Sequence, residues 1–155
     1  MRRIRNKFRN PKRPWDSARI KEEKDLLREY GLRRKEELRV SEEMLRNIRQ
    51  RARNLITEED KRKEKVLLDK LSKQGILKPG SNLDDVLALT VKDVLDRRLQ
   101  TIVLRKGLAK TSRQARQAIT HGRIAIEARR TTFPSHIVTM EEEGKIGWYG
   151  KPGGK

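Results

Sequence analysis

The chain has 155 residues, of which 34% are hydrophobic and 40% are charged, and its 40 Lys and Arg against 22 Asp and Glu give a formal net charge of +18. Average globular chains carry roughly 45–50% apolar and about 25% charged residues, so the composition argues against one large core and indicates a polyanionic partner. Cysteine is absent, which excludes disulfides, thiolate metal sites and cysteine nucleophiles, and no run of about 18 apolar residues predicts a membrane span.

The basic surplus lies in two blocks that contain no acid. Residues 1–15 hold seven basic side chains, and residues 97–126 hold eight. Between these blocks, residues 16–96 carry 20 basic and 18 acidic side chains, so this long segment is nearly neutral. We therefore expect the two acid-free blocks to make the nucleic-acid contacts.

The first predicted unit, residues 1–15, is a disordered basic arm that binding to RNA would order. Pro11 and Pro14 prevent a helix there, and few apolar side chains are present to fold it. A merely solvated basic tail is the alternative. At residue 16 a helical N-terminal region is predicted to begin, and it extends to residue 78.

Three helices are predicted in that region. The first begins at a cap formed by Asp16 or Ser17 and ends at Tyr30. Ser41 is a good N-cap for the second helix. Thr57 is predicted to begin the third helix, which ends at Gly75.

A linker and a short helix are predicted for residues 79–90. Thr90 is then expected to cap one amphipathic helix that runs to about Lys106. Thr111 and Gln114 have the spacing of a capping box, which predicts another helix that ends at Gly122.

After Gly122 the apolar period changes from 3.6 to 2, which is typical of strands. Short strands are predicted at 124–127, 131–133, 137–140 and 145–149. Residues 91–149 thus form a unit of two helices and a small antiparallel sheet, and residues 150–155 form a flexible tail. The predicted fold class is mainly α with a small α+β domain.

Several of these segments resemble a known family. The residues that carry the resemblance are Arg97-Arg98-Leu99, Gly107-Leu108-Ala109, the run from Thr111 to Arg116, His121-Gly122-Arg123-Ile124 and Pro134-Ser135, and they are similar to the S-four RNA-binding domain. The N-terminal half, with Pro14-Trp15, the run from Leu27 to Arg33 and the run from Arg49 to Leu55, resembles the archaeal and eukaryotic small-subunit ribosomal proteins of the S-four family.

This resemblance implies a structural constituent of the cytoplasmic small ribosomal subunit. It implies rRNA binding early in subunit assembly, neighbouring ribosomal proteins near the path by which messenger RNA enters, and a link to decoding fidelity. It implies no membrane and no small-molecule substrate.

One segment departs from the family pattern. Many S-four domains carry Asn-Gly or Asp-Gly after the first strand, because a tight hairpin turn needs positive φ. Here Glu127-Ala128-Arg129-Arg130 stands in that place. We therefore expect a longer or differently shaped turn with Arg129 and Arg130 at its tip.

The second acid-free block is expected to supply the main RNA-binding surface. Arg113, Arg116 and Gln117 share one face of a helix, guanidiniums can bind phosphate bidentately, and no acid within the block can pair with them. The predicted RNA-binding residues are Arg97, Arg98, Arg105, Lys106, Lys110, Thr111, Ser112, Arg113, Arg116, Gln117, His121 and Arg123, together with the arm residues Arg2, Arg3, Arg5, Lys7, Arg9, Lys12 and Arg13.

Other side chains allow two interpretations each. His121 either contacts RNA or caps a helix end, whereas His136 is expected to be structural. Trp15 and Trp148 are expected to be packing anchors rather than base-stacking platforms. The run Glu141 to Glu143 is most simply a solvated acidic turn, with contact to a basic protein as the alternative.

No motif for catalysis is present, so we expect no catalytic residue, no metal site and no cofactor. The alternative function is a free-standing ribosome-associated rescue or RNA-chaperone factor that uses an S-four domain. Such a factor would bind substoichiometrically and wash off, whereas a structural protein stays through a high-salt wash.

Overall fold

The computed structural model describes residues 7–58 and 60–150. Its helices are α1 (Ser17–Glu29), α2 (Lys35–Glu58), α3 (Lys61–Lys73), α4 (Leu83–Ala88), α5 (Val91–Asp96), α6 (Leu99–Arg105), α7 (Ser112–Thr120) and α8 (Met140–Glu143). Its strands are β1 (Ile124–Ile126), β2 (Arg129–Arg130) and β3 (Ile146–Trp148). The strands form one antiparallel sheet in the order β2-β1-β3. The predicted fold class, mainly α with a small α+β unit, is confirmed.

Helix α1 follows its prediction, with the carboxylate of Asp16 accepting a hydrogen bond from the N–H of Ala18. The predicted cap at Ser41 is wrong, because α2 continues through this position without a break. The buried residues of α2 recur at spacings of three and four, and Ser41 is one of them. Its hydroxyl donates to the carbonyl of Glu37, four residues earlier (3.1 Å). No Gly or Pro interrupts residues 35–58, so nothing in the backbone stops the helix.

The predicted start of α3 at Thr57 is also wrong, whereas its end is confirmed. Thr57 lies in the last turn of α2, and Asp60 caps α3 by accepting hydrogen bonds from two backbone N–H groups. At the other end, Ile76 N–H donates to Leu71 C=O (3.1 Å) and Gly75 N–H donates to Ser72 C=O (2.8 Å). These two bonds form the Schellman motif.

The single helix predicted from Val91 to about Lys106 is divided into α5 and α6. Arg97 and Arg98 leave the helical path because segment 136–138 pairs with them. Val138 N–H donates to Arg97 C=O (2.9 Å), Leu99 N–H donates to His136 C=O (2.8 Å), and Arg98 forms an isolated bridge with Ile137. The same pairing explains why residues 137–140 are not a strand of the sheet: apart from this bridge they have no strand partner within the described residues, and Met140 begins α8.

The hairpin after β1 is tight, so the predicted longer turn is wrong. Ile126 pairs directly with Arg129, which leaves Glu127 and Ala128 as a two-residue loop with φ of 54° and 75°. Both central residues of a type I′ turn have this left-handed conformation. Arg129 is therefore in β2 and not at the tip, and the strand predicted at 131–133 lies at 129–130 instead.

Three buried clusters stabilise these elements. One joins α6, α7 and the sheet, a second joins α2, α3, α4 and α5, and a third joins Tyr30, Leu38 and Leu95. The third cluster brings α1 and α2 against α5, so the N-terminal helices pack directly onto the C-terminal unit. The arm residues that the structure describes also lie along α2, where Arg39 donates to the Asn10 side chain (3.1 Å) and Arg9 pairs with Glu43 (3.5 Å).

Candidate nucleic-acid interface

Helix α7 presents a polar face to solvent because its apolar face is buried in the core. Ala115, Ala118 and Ile119 are buried against α6 and the sheet. At its start, Thr111 Oγ accepts a hydrogen bond from Gln114 N–H (3.2 Å), and the Gln114 side chain accepts one from Lys110 N–H (3.0 Å). The predicted N-cap at Thr111 is confirmed, whereas the Gln114 side chain accepts from Lys110 N–H and not from the Thr111 N–H of a capping box. The helix is therefore anchored along one side and at its N-terminus.

A buried glutamine holds the turn between α1 and α2 against α7. Gln100 is 2% exposed, and its Nε2 lies within 3.1 Å of the carbonyl oxygens of Tyr30, Gly31 and Ser112. Gly31 has φ of +59°, and a Cβ at this position would lie 2.6 Å from Ser112 Cβ. Only glycine allows the backbone to approach Ser112 this closely. The turn at residues 31–34 therefore packs against the first turn of α7 through Gly31.

Glu37, at the start of α2, forms ion pairs with two arginines of the second acid-free block, residues 97–126, which is called the second basic block below. Arg116 donates to both carboxylate oxygens (2.9 and 3.1 Å), and Arg98 donates to one of them (2.7 Å). Burial alone would raise the pKa of Glu37, but the hydrogen bonds from Arg116 and Arg98 outweigh it, so the pKa lies below its usual value. Glu37 is therefore a stable anion beside α7.

A basic groove lies between the turn at residues 31–34 and α7. Its volume is about 480 Å³, and its lining residues are Gly31, Leu32, Arg33, Arg113, Arg116, Gln117 and Thr120. Arg33 and Arg113 are exposed on opposite sides of the groove. Within residues 7–58 and 60–150, neither forms an ion pair with an acid. The groove thus offers two free guanidiniums and the Gln117 amide.

The second basic block contains no acid, as the sequence shows, but acids from outside the block pair with several of its arginines. Besides the Glu37 pairs, Arg97 donates to Glu143 (2.8 Å) and to Val138 C=O (2.9 Å), and Arg105 pairs with Asp96 (2.7 Å). The Lys106 ammonium donates to the Glu143 carbonyl. Arg98 is only 4% exposed, so its guanidinium is not on the surface.

The other predicted RNA contacts lie at the two ends of α7 and on the N-terminal arm. Lys110 and Thr111 are exposed at the start of α7, and Ser112 lies under Gly31. His121 occupies the C-cap position of α7, and exposed Arg123 follows it. Lys7, Arg9, Lys12 and Arg13 are exposed on the arm, and Arg2, Arg3 and Arg5 lie outside the described residues, as does the predicted tail from residue 151.

Three of the secondary interpretations are now decided. Trp15 is 88% exposed, so it is not a packing anchor. His136 has a structural role, since its ring lies 3.4 Å from Glu142 and its carbonyl accepts from Leu99. Glu142 also accepts from Thr139 N–H (2.9 Å), so the acidic run, expected to be a solvated turn, is a capped helical turn in which Glu141 is exposed and Glu142 and Glu143 are partly buried.

Sequence reasoning missed Arg33, the basic residue that faces Arg113. It lies in the segment of nearly balanced charge, where averaging over residues 16–96 hides it. The available signal was its position two residues after Gly31, in the exposed turn that follows a helix end.

Two other kinds of feature are absent from the described residues. In the part of the chain that the structure describes, no group of three or more His, Asp or Glu side chains is placed to hold a metal ion. Over the same residues, no helix combines the length and apolar character needed to cross a bilayer.

Comparison with known proteins defines the class first. The family model described as "S4 domain" matches residues 97–143, the segment from Arg97 to the end of α8. This match confirms the S-four RNA-binding domain that the sequence resembles.

Whole-chain similarity then gives the family. The small ribosomal subunit protein uS4 of Ignicoccus hospitalis is 48% identical over 150 residues, which cover 95% of this chain and 90% of that protein. The uS4 of Methanothermobacter thermautotrophicus is 46% identical over 96% of this chain and 88% of its own length, and that of Saccharolobus solfataricus is 46% identical over 94% and 82%. This chain belongs to the uS4 family.

Proposed function

We propose that this chain is a structural constituent of the small ribosomal subunit in the cytoplasm, where it binds the subunit's rRNA. The observation that carries the proposal is the groove between residues 31–34 and α7, in which Arg33 and Arg113 have no acidic partner among the described residues. The family relatives, which match over nearly the whole chain, are named as small-subunit proteins. The net charge of +18 suits a ligand with many phosphates.

Binding in the groove rests on positioned positive charge. α7 is anchored on its buried side, so the Arg113 guanidinium and the Gln117 amide are presented from a rigid support. Arg33 faces them from the opposite wall. Guanidiniums bind phosphate oxygens in a bidentate manner, and structured RNA is recognised mainly through its shape, its phosphates and its 2′-hydroxyls. We therefore propose recognition of a folded RNA backbone rather than of a base sequence.

The surface extends from the groove along exposed cations. Lys110 and Thr111 at the start of α7, Arg123 after its end, and the arm residues Lys7, Lys12 and Arg13 belong to the proposed surface. Arg2, Arg3 and Arg5 remain part of the proposal on sequence grounds alone. Arg98 is not proposed as a direct RNA contact, because its guanidinium is buried.

The finer roles come from the family resemblance. We propose that the chain contributes to subunit assembly and decoding fidelity, and that its neighbours are ribosomal proteins near the path by which messenger RNA enters. We propose no enzymatic activity. The alternative, a free-standing rescue or chaperone factor, has no support among the comparisons.

Two measurements test the proposal. Salt-washed small subunits from the source organism should retain one copy of the chain per subunit, measured by quantitative mass spectrometry, whereas a substoichiometric amount that washes off would favour a free-standing factor. Separately, Arg33→Gln and Arg113→Gln should each weaken binding to transcribed small-subunit rRNA and lower the slope of log K against log salt by about one. Lys24→Gln, an exposed charge on α1, is the matched control.

A further inference from the structure

We propose that Glu37 is a positioning residue. Its ion pairs with Arg98 and Arg116 keep these two guanidiniums from contacting RNA, and they hold the turn at residues 31–34 against α7. In this arrangement Arg116 acts through Glu37 and is not itself a phosphate contact. The inference rests on the proposed function, since it concerns which side chains of the groove meet RNA.

The geometry of the ion pairs supports this role. Glu37 lies on α2, three residues after the turn that carries Arg33, whereas Arg116 lies on α7. The two oxygens of Glu37 receive two bonds from Arg116 and one from Arg98. The carboxylate therefore connects the N-terminal helices to α6 and α7 at one point, next to the contact between Gly31 and Ser112.

Accessibility explains why these arginines are poorly placed for RNA. The side chain of Arg98 is 5% exposed and that of Arg116 is 24% exposed, whereas Arg33 and Arg113 are exposed residues. A phosphate that took Arg116 from Glu37 would leave a partly buried carboxylate without a bidentate partner, and breaking such pairs is unfavourable. Arg116 also lies within 3.5 Å of the Gln100 side chain, which further ties it to the interior.

The pairing also neutralises a charge that would oppose binding. A bare carboxylate within hydrogen-bond distance of Arg116, which lines the groove, would repel phosphate at short range. With two guanidiniums on it, Glu37 contributes no uncompensated negative charge. The three side chains together keep one positive charge, which adds to the charges of Arg33 and Arg113. The same three side chains thus serve both attachment and electrostatics.

The attachment is tested without RNA. Glu37→Gln in the full chain keeps the side-chain size and removes the charge, and Glu36→Gln is the matched control because it makes the same change at an exposed neighbouring position. We expect Glu37→Gln to raise amide hydrogen exchange in peptides covering residues 27–38 by at least about tenfold, because unpaired guanidiniums favour local opening. Glu36→Gln should leave it unchanged. Unchanged exchange in Glu37→Gln would overturn the proposal.

The RNA part is tested by salt dependence. With transcribed small-subunit rRNA, Arg116→Gln should weaken binding while leaving the salt slope nearly unchanged, whereas Arg113→Gln, one turn earlier on α7, should lower the slope by about one. The double variant Glu37→Gln/Arg116→Gln should bind about as well as either single variant, because both changes break the same link.

An equal loss of slope in Arg116→Gln and Arg113→Gln would overturn the assignment of Arg116 as a positioning residue. This comparison stays decisive if Glu37→Gln fails to fold, since neither variant alters Glu37. Absence of salt-dependent binding by the unaltered chain would refute the proposed function and the RNA part of the inference together, whereas the exchange experiment judges the attachment alone.

Discussion

The backbone of Gly31 lies directly against the side chain of Ser112, so closely that a Cβ at Gly31 would come within 2.6 Å of Ser112 Cβ. Two regions that are 81 positions apart in sequence are in contact here. We expect Gly31→Ala to lower the free energy of unfolding by about 2–4 kcal/mol, because it combines a left-handed backbone at φ +59° with steric overlap. Denaturant titration of the full chain measures this loss.

The matched control for that substitution is Gly107→Ala. Gly107 also has positive φ, +71°, but a Cβ there meets nothing within 4 Å. We expect it to cost about 1–2 kcal/mol, the backbone penalty alone. Equal losses at the two positions would show that a Cβ at Gly31 does not overlap with Ser112.

The ion pairs of Glu37 predict a pH dependence of stability. Hydrogen bonds from Arg116 and Arg98 hold the folded-state pKa of Glu37 below its usual value of 4.5, despite the opposing effect of burial. A lowered folded-state pKa adds stability above the unfolded-state pKa, and this contribution is lost as the pH falls through the folded-state value. The stability difference between the unaltered chain and Glu37→Gln should therefore be about 2 kcal/mol at pH 7 and should shrink below pH of about 4.5.

Denaturation midpoints of both chains from pH 3 to pH 7 provide the measurement. Glu36→Gln should track the unaltered chain over the same range. A difference for Glu37→Gln that stays constant with pH would contradict the assigned pKa direction.

The hairpin between β1 and β2 stores backbone strain that glycine would relieve. Ala128 has φ of 75°, a conformation that costs L-residues roughly 1–2 kcal/mol. We expect Ala128→Gly to stabilise the chain by about 0.5–1 kcal/mol, after allowing for the larger unfolded-state entropy of glycine. Thermal unfolding measures it. The same substitution at exposed Ala18, in helix α1, should destabilise instead, and destabilisation at both positions would show that Ala128 is not strained.

Local signals in the sequence predicted much of the fold. The cap at Asp16, the helix end at Gly75 and the cap at Thr111 each depend on residues within about five positions, and each is confirmed. The change of apolar period after Gly122 likewise located β1, the central strand of the sheet, because alternation is a property of the strand itself.

Two of the errors have a common physical cause, which is a partner distant in sequence. The break between α5 and α6 exists because residues 136–138 pair with Arg97 and Arg98, about 40 positions away. Two arginines of the second basic block, Arg98 and Arg116, are paired because Glu37, 79 positions before Arg116, bonds to both of them. Charge counting along the chain pointed to α7 for the proposed surface, but it could not distinguish Arg113, which has no acidic partner among the described residues, from Arg116.

The continuity of α2 through Ser41 makes a last prediction, because a serine within a helix and a serine that caps one respond oppositely to alanine. Ser41 Oγ donates to the Glu37 carbonyl four residues earlier, a bond that competes with the helix ladder and adds little stability. We expect Ser41→Ala to change the free energy of unfolding by less than about 0.5 kcal/mol, or to stabilise, since alanine is the better helix former. Thr111→Ala is the matched control, since Thr111 Oγ caps α7, and it should cost about 1 kcal/mol. Denaturant titration of both variants decides the point, and similar losses would mean that a helix begins at Ser41.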